Sequence, residues 1–147
     1  MVAGSTRHRL LVVDDEPDIA NVLKKGLENE GFDVKAFTDP VEALNGIGAG
    51  QYDMAILDIR MPKMNGFELY RKLKARDEKI KICFITAFEI YHEEFKKVFP
   101  KVRISCFVTK PITVSALAKT IREEIESKEK IESTQQTPAQ KDRDTFL

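Results

Sequence analysis

Five short apolar runs, at residues 10–13, 34–37, 54–57, 82–85 and 106–108, alternate with longer amphipathic stretches. This is the pattern of strands separated by helices. Four of the runs are apolar throughout, as parallel strands covered on both faces are. The remaining run, Val34-Lys35-Ala36-Phe37, interposes a lysine and reads as an edge strand. The first helix is predicted from Ile19, Val22, Leu23 and Leu27 at helical spacing, ending near Gly31. A second begins at Asp39-Pro40-Val41-Glu42, where the aspartate caps, the proline suits the first helical position and the glutamate completes a capping box; it runs toward Gly48. After Asn65-Gly66, Phe67, Tyr70 and Leu73 mark one face of a third helix, and Tyr91, Phe95, Val98 and Phe99 mark a fourth before Pro100. Thr113 caps a fifth, with Val114, Leu117, Ala118, Ile121 and Ile125 on its apolar side.

Five strand-helix pairs joined by right-handed crossovers imply an α/β fold with a doubly wound, open parallel sheet. Residues 9–126 form one such domain. From residue 127 to 147 apolar side chains thin out and a flexible polar tail is expected, too short for an output domain. No apolar run approaches the roughly 20 residues of a membrane helix, so no membrane contact is expected. Arg7-His8-Arg9 is followed by a short apolar stretch that runs into acidic residues, unlike a secretory signal. Lysine plus arginine and aspartate plus glutamate both number 24, which argues against direct nucleic-acid binding. Cys83 and Cys106 sit in apolar strands and read as reduced, buried thiols of a cytoplasmic protein. With two histidines and two cysteines and no close spacing among them, any metal must be held by oxygen.

Sites in such sheets lie beyond the carboxyl ends of the strands. That rule selects Asp14 and Asp15 after the first strand, Asp58 after the third, Thr86 at the close of the fourth and Lys110 at the close of the fifth. Three converging carboxylates repel one another and demand a cation, for which Mg2+ is suited as a hard ion with oxygen ligands. A carboxylate can attack phosphorus when a metal and a positive side chain offset the charge. Asp58 is then the nucleophile, Asp14 and Asp15 hold the metal, Lys110 pairs with carboxylate and phosphoryl oxygens, and Thr86 donates its hydroxyl. Ala87 is small and leaves the site open. Singly, the acidic pair reads as a helix cap, Thr86 as a strand residue and Lys110 as a solvated lysine. Their joint placement carries the argument.

The segments LLVVDDEPD, AILDIRMPKMNG, CFITAF and CFVTKPI resemble the response-regulator receiver family, over residues 9–126. The resemblance implies a flavodoxin-like (βα)5 fold with strand order 2-1-3-4-5 and phosphorylation on Asp58. It also implies metal contacts from Asp14, Asp15, Asp58 and the carbonyl of Arg60, a lysine at Lys110, and switch residues Thr86 and Phe107. The Lys110–Pro111 bond would be cis. A histidine kinase or phosphotransfer protein would supply the phosphoryl group, and the switch would assist its own phosphorylation and dephosphorylation. A downstream protein would dock on the face built by the fourth helix, fifth strand and fifth helix; a dimer formed on phosphorylation stays open. The chain departs from the family before the fifth strand, where a small Ala-Gly-Ala-like turn is usual. Here residues 99–105 are longer, basic and free of glycine, and Phe88, Tyr91, Phe95 and Phe99 read as a packed helix face or a docking surface. Two rival readings are a magnesium-dependent phosphohydrolase with an aspartyl-phosphate intermediate and a receiver-like binding module that is not phosphorylated. The hydrolase reading is weakened by Arg60, a poor general acid two positions beyond Asp58.

Overall fold

Alternating side chains along the central strands divide the core into two layers. Leu11, Val13, Ala55, Leu57, Phe84 and Phe107 point to one side of the sheet. Leu10, Val12, Met54, Ile56, Cys83, Ile85 and Val108 point to the other. With both faces buried, the period of two separates two sets of apolar residues, which is why these strands read as unbroken apolar runs. The computed structural model describes residues 7–86, 97 and 106–126. The predicted fourth helix other than Lys97, the aromatics of residues 88–99, the departing segment 99–105, Ala87 and the tail 127–147 lie outside the described residues.

Strands β1 (Arg9–Val13), β2 (Asp33–Phe37), β3 (Met54–Asp58), β4 (Lys81–Thr86) and β5 (Phe107–Thr109) form a parallel sheet in the order β2-β1-β3-β4-β5. The lysine-bearing strand β2 is at an edge. Helices α2 (Pro40–Asn45) and α3 (Gly66–Arg76) cover one face, while α1 (Pro17–Asn29) and α4 (Val114–Glu126), the helix predicted fifth, cover the other. Thr113 caps α4 by accepting from the N–H of Ala116 at 3.1 Å. A methyl group at Gly26 of α1 would meet the Val114 side chain at 2.7 Å, so glycine lets α1 approach the first turn of α4.

Several local expectations need correction. Val22, expected on the apolar face of α1, is exposed, because the buried stripe runs through Ala20, Leu23 and Leu27. Helix α2 stops at Asn45, with Gly46 as its C-cap, short of Gly48. Asp39 does cap it, accepting from Val41 N–H at 2.9 Å, but the capping box expected there occurs at α3 instead, between Asn65 and Glu68. Cys83 and Cys106 are not free thiols: Cys83 in β4 and Cys106, the residue before β5, have Cα atoms 4.4 Å apart, and their sulfurs are bonded. Parallel register places them together, since Phe84 pairs with Phe107 one residue later. The inference of a reducing environment drawn from unpaired cysteines therefore loses its support.

Candidate phosphoacceptor site

β1 and β3 are neighbours, so the residues that end them meet. Asp14 and Asp58 are buried and Asp15 is half-buried. Each of the three offers a carboxylate oxygen, and these oxygens all lie within 4.8 Å of one another. Asp14 is held in place from two sides: Oδ1 accepts from the Glu16 N–H at 3.0 Å, and Oδ2 accepts from Lys110 Nζ at 3.3 Å. The acidic pair is not the side-chain cap of α1, whose N-cap is Glu16. Lys110 also reaches Asp58 Oδ1 at 3.8 Å. Its backbone N–H donates to the Thr86 carbonyl at 2.6 Å, which ties the end of β5 to the end of β4, and the Lys110–Pro111 bond is cis.

Burial pushes the Asp58 carboxyl up to about 7 from 3.8, and the Asp14 charge adds to the rise. Lys110 pulls in the opposite direction, Asp15 raises it further, and the Ile59 N–H lowers it. Among the described residues, Lys110 is the cation that pairs with these carboxylates, which oppose one another in a poorly solvated place. That donor set fits a hard divalent cation, to which one or two carboxylates and a phosphate oxygen are the usual protein and substrate ligands. Arg60, two residues beyond Asp58, is exposed. Thr86 is buried opposite Thr109, and Phe107 is buried with its ring centroid 6.1 Å from that of Phe84. The structure thus gathers Asp14, Asp15 and Asp58 into one cluster, pairs Lys110 with Asp14 and Asp58, and sets Thr86 at the neighbouring strand end. Phe107 stands apart from them, in the core.

Gly66 marks a helix start in the sequence, and the structure also gives it a place at the site. Its N–H donates to the Ile59 carbonyl at 2.8 Å. A Cβ at this position would stand beside the Asp58 carbonyl oxygen and 2.9 Å from Ile59 Cα. Helix α3 therefore starts against the backbone of the acidic residue, an approach open to glycine alone. The signal in the sequence was the glycine directly after the capping asparagine, but nothing in it showed which backbone came close.

A family model for the response regulator receiver domain matches residues 10–122. The chain belongs to that family. A receiver domain is a phosphoacceptor switch of two-component signalling rather than a typical enzyme. This receiver is 36% identical over 108 residues to the sensor protein EvgS of Escherichia coli K12, a match covering 74% of the chain and 9% of EvgS. The chain thus spans a small part of that relative's length. Among solved structures, a CheY-like response regulator receiver domain protein from Methanospirillum hungatei superposes with a TM-score of 0.74 at 27% identity, covering 85% of this chain and 98% of that one. The response regulator TrrA of Thermotoga maritima, solved in complex with Mg2+-BeF, superposes with a TM-score of 0.67 at 30% identity, covering 80% of this chain and 98% of that one. The order 2-1-3-4-5 predicted from the resemblance is the order observed.

Proposed function

We propose that this receiver accepts a phosphoryl group on Asp58 from a histidine kinase or phosphotransfer protein. The observation that carries the reading is the meeting of Asp14, Asp15 and Asp58 with Lys110 at the ends of β1, β3 and β5. In the transfer, an Asp58 carboxylate oxygen bonds to phosphorus as the donor's phosphorus–nitrogen bond breaks. Lys110 is already within reach of Asp58 and neutralises charge on the transferring group; Thr86 supplies a hydroxyl to a phosphoryl oxygen. Asp14, Asp15, Asp58 and the Arg60 carbonyl would hold magnesium, which supplies the positive charge that keeps the Asp58 carboxylate ionised and offsets charge on the phosphoryl group. The same groups assist the later loss of the phosphoryl group.

Repositioning of Thr86 and Phe107 would carry the signal to the face that includes β5 and α4, where a downstream protein docks. TrrA's Mg2+-BeF complex supports magnesium as the cofactor. Residues 9–126 are the functional unit. No described helix is long and apolar enough to cross a membrane. We place the reaction in the cytoplasm, together with the phosphodonor proposed above.

The test is kinetic. Incubation with an acyl phosphate and magnesium should load one phosphoryl group per chain, which then leaves slowly, with no repeated turnover of a phosphate monoester. Multiple turnover would replace this reading with the hydrolase. No loading by the acyl phosphate or by a histidine kinase would leave a binding module.

A further inference from the structure

The bond between Cys83 and Cys106 lies outside the cluster of Asp14, Asp15, Asp58 and Lys110, and joins β4 to the residue that leads into β5. Cys83 lies in β4, which ends in Thr86; Cys106 precedes β5, which leads into Lys110. Both cysteines are fully enclosed in the layer with Ile85, Val108 and Ile121, while the adjacent Phe84 and Phe107 pack in the opposite layer. The covalent link therefore sits directly behind the Phe84–Phe107 pair. β5 is an edge strand of three residues, paired to β4 at Phe107, Val108 and Thr109. So short a ladder joins β5 to β4 at three paired positions, and a covalent link beside it adds a restraint of a different kind. In a reducing compartment protein disulfides are mostly transient or redox-sensing.

We infer that Cys83 and Cys106 form a redox-controlled link between β4 and β5 that restrains the phosphoacceptor switch. The inference rests on the phosphoacceptor reading above. Closure consumes a small-molecule disulfide: one cysteine thiolate attacks it, giving a mixed disulfide and one released thiol, and the second cysteine then displaces the other thiol. Two cysteine thiols lose two protons and two electrons, and the reagent disulfide gains both. A dithiol reverses the exchange. Burial of both sulfurs makes exchange wait on separation of β5 from β4. With the link closed, residue 106 is fixed to β4 and Phe107 and Thr86 lose freedom to rearrange together. With it open, they regain that freedom.

The experiment compares the 147-residue chain after treatment with a small disulfide and after an excess of a small dithiol. Redox state is read by thiol alkylation and intact mass, and affinity by titration with beryllofluoride in the presence of magnesium. The reduced form is expected to bind about fivefold or more tightly than the oxidised form, within the usual range of coupling between sites. The doubly substituted Cys83→Ala, Cys106→Ala chain should bind like the reduced form and ignore the oxidant. Thiols that stay free after oxidant treatment overturn the link, and equal affinity of the two forms overturns its control of the switch. Absence of binding in both forms, together with failure of acyl phosphate to load the reduced chain, overturns the phosphoacceptor reading and this inference with it. The oxidised and reduced native chains suffice if the double variant does not fold.

Discussion

The two ends of the sheet treat their carboxylates in opposite ways. At the amino-terminal end, Asp53 accepts from the Arg9 N–H at 2.8 Å, and Asp77 accepts from the N–H groups of Gly50 at 2.9 Å and Lys79 at 3.1 Å. Each of these acids closes a loop by satisfying backbone donors. At the carboxyl-terminal end, Asp14, Asp15 and Asp58 face one another, with Lys110 the cation between Asp14 and Asp58. Negative charge spent on backbone donors stabilises the fold; negative charge left opposed to more negative charge costs stability and creates a place for a cation. The proposed function uses the end where the electrostatics is unfinished.

The largest effect should come from removing the positive charge at the unfinished end. Lys110→Ala is expected to slow phosphoryl acceptance from an acyl phosphate about a hundredfold, the usual cost of losing one donor to a transferring charged group. Phosphorylation kinetics at saturating magnesium would read it, and a near-native rate would remove Lys110 from the site. Gly66→Ala comes next, at about 2 kcal/mol of stability, because the new methyl group meets the Asp58 and Ile59 backbone. Denaturant unfolding measures that loss. Acceptance should also fall about tenfold or more, since a small displacement of a reacting group is costly.

Asp77→Ala should lower stability by about 1–2 kcal/mol through unpaired N–H groups at Gly50 and Lys79, while leaving phosphoryl acceptance unchanged. A loss of acceptance in that variant would erase the distinction between the two ends. The smallest effect concerns pH. Asp58 is raised from 3.8 to about 7 in the folded chain, so between these values the unfolded chain has released a proton that the folded chain keeps. Without magnesium, stability should therefore fall as pH rises through that window. Asp58→Asn removes the titrating group, and at pH 8 should raise stability by about 1 kcal/mol or more. Unfolding curves at pH 5 and pH 8 test the sign; a native chain more stable at pH 8, with the variant flat, would refute it.

Much of this was legible in the sequence for physical reasons. Unbroken apolar runs such as Met54 to Leu57 announce a strand buried on both faces, and Thr113 ahead of Val114 announces a helix start, because both signals are local. The positions of Asp14, Asp58 and Lys110 follow from the strand-end rule once the strand order is in hand. What was not legible depends on distances between segments far apart in the chain. The pairing of Cys83 with Cys106 needs the register of β4 against β5, and the closeness of Gly66 to Asp58 needs the path of a loop. Val22 looked apolar at helical spacing, yet the orientation of α1 left it in solvent. The capping box forms at Asn65 and not at Asp39, since side-chain reach decides between equally suitable sequences.

Intact mass after incubation with an acyl phosphate, for the native chain and Asp58→Asn with and without magnesium, tests the central claim most directly. The account predicts one added phosphoryl group on the native chain with magnesium and none in the other three conditions. Addition to Asp58→Asn at the native level, or addition to the native chain that ignores magnesium, would contradict it.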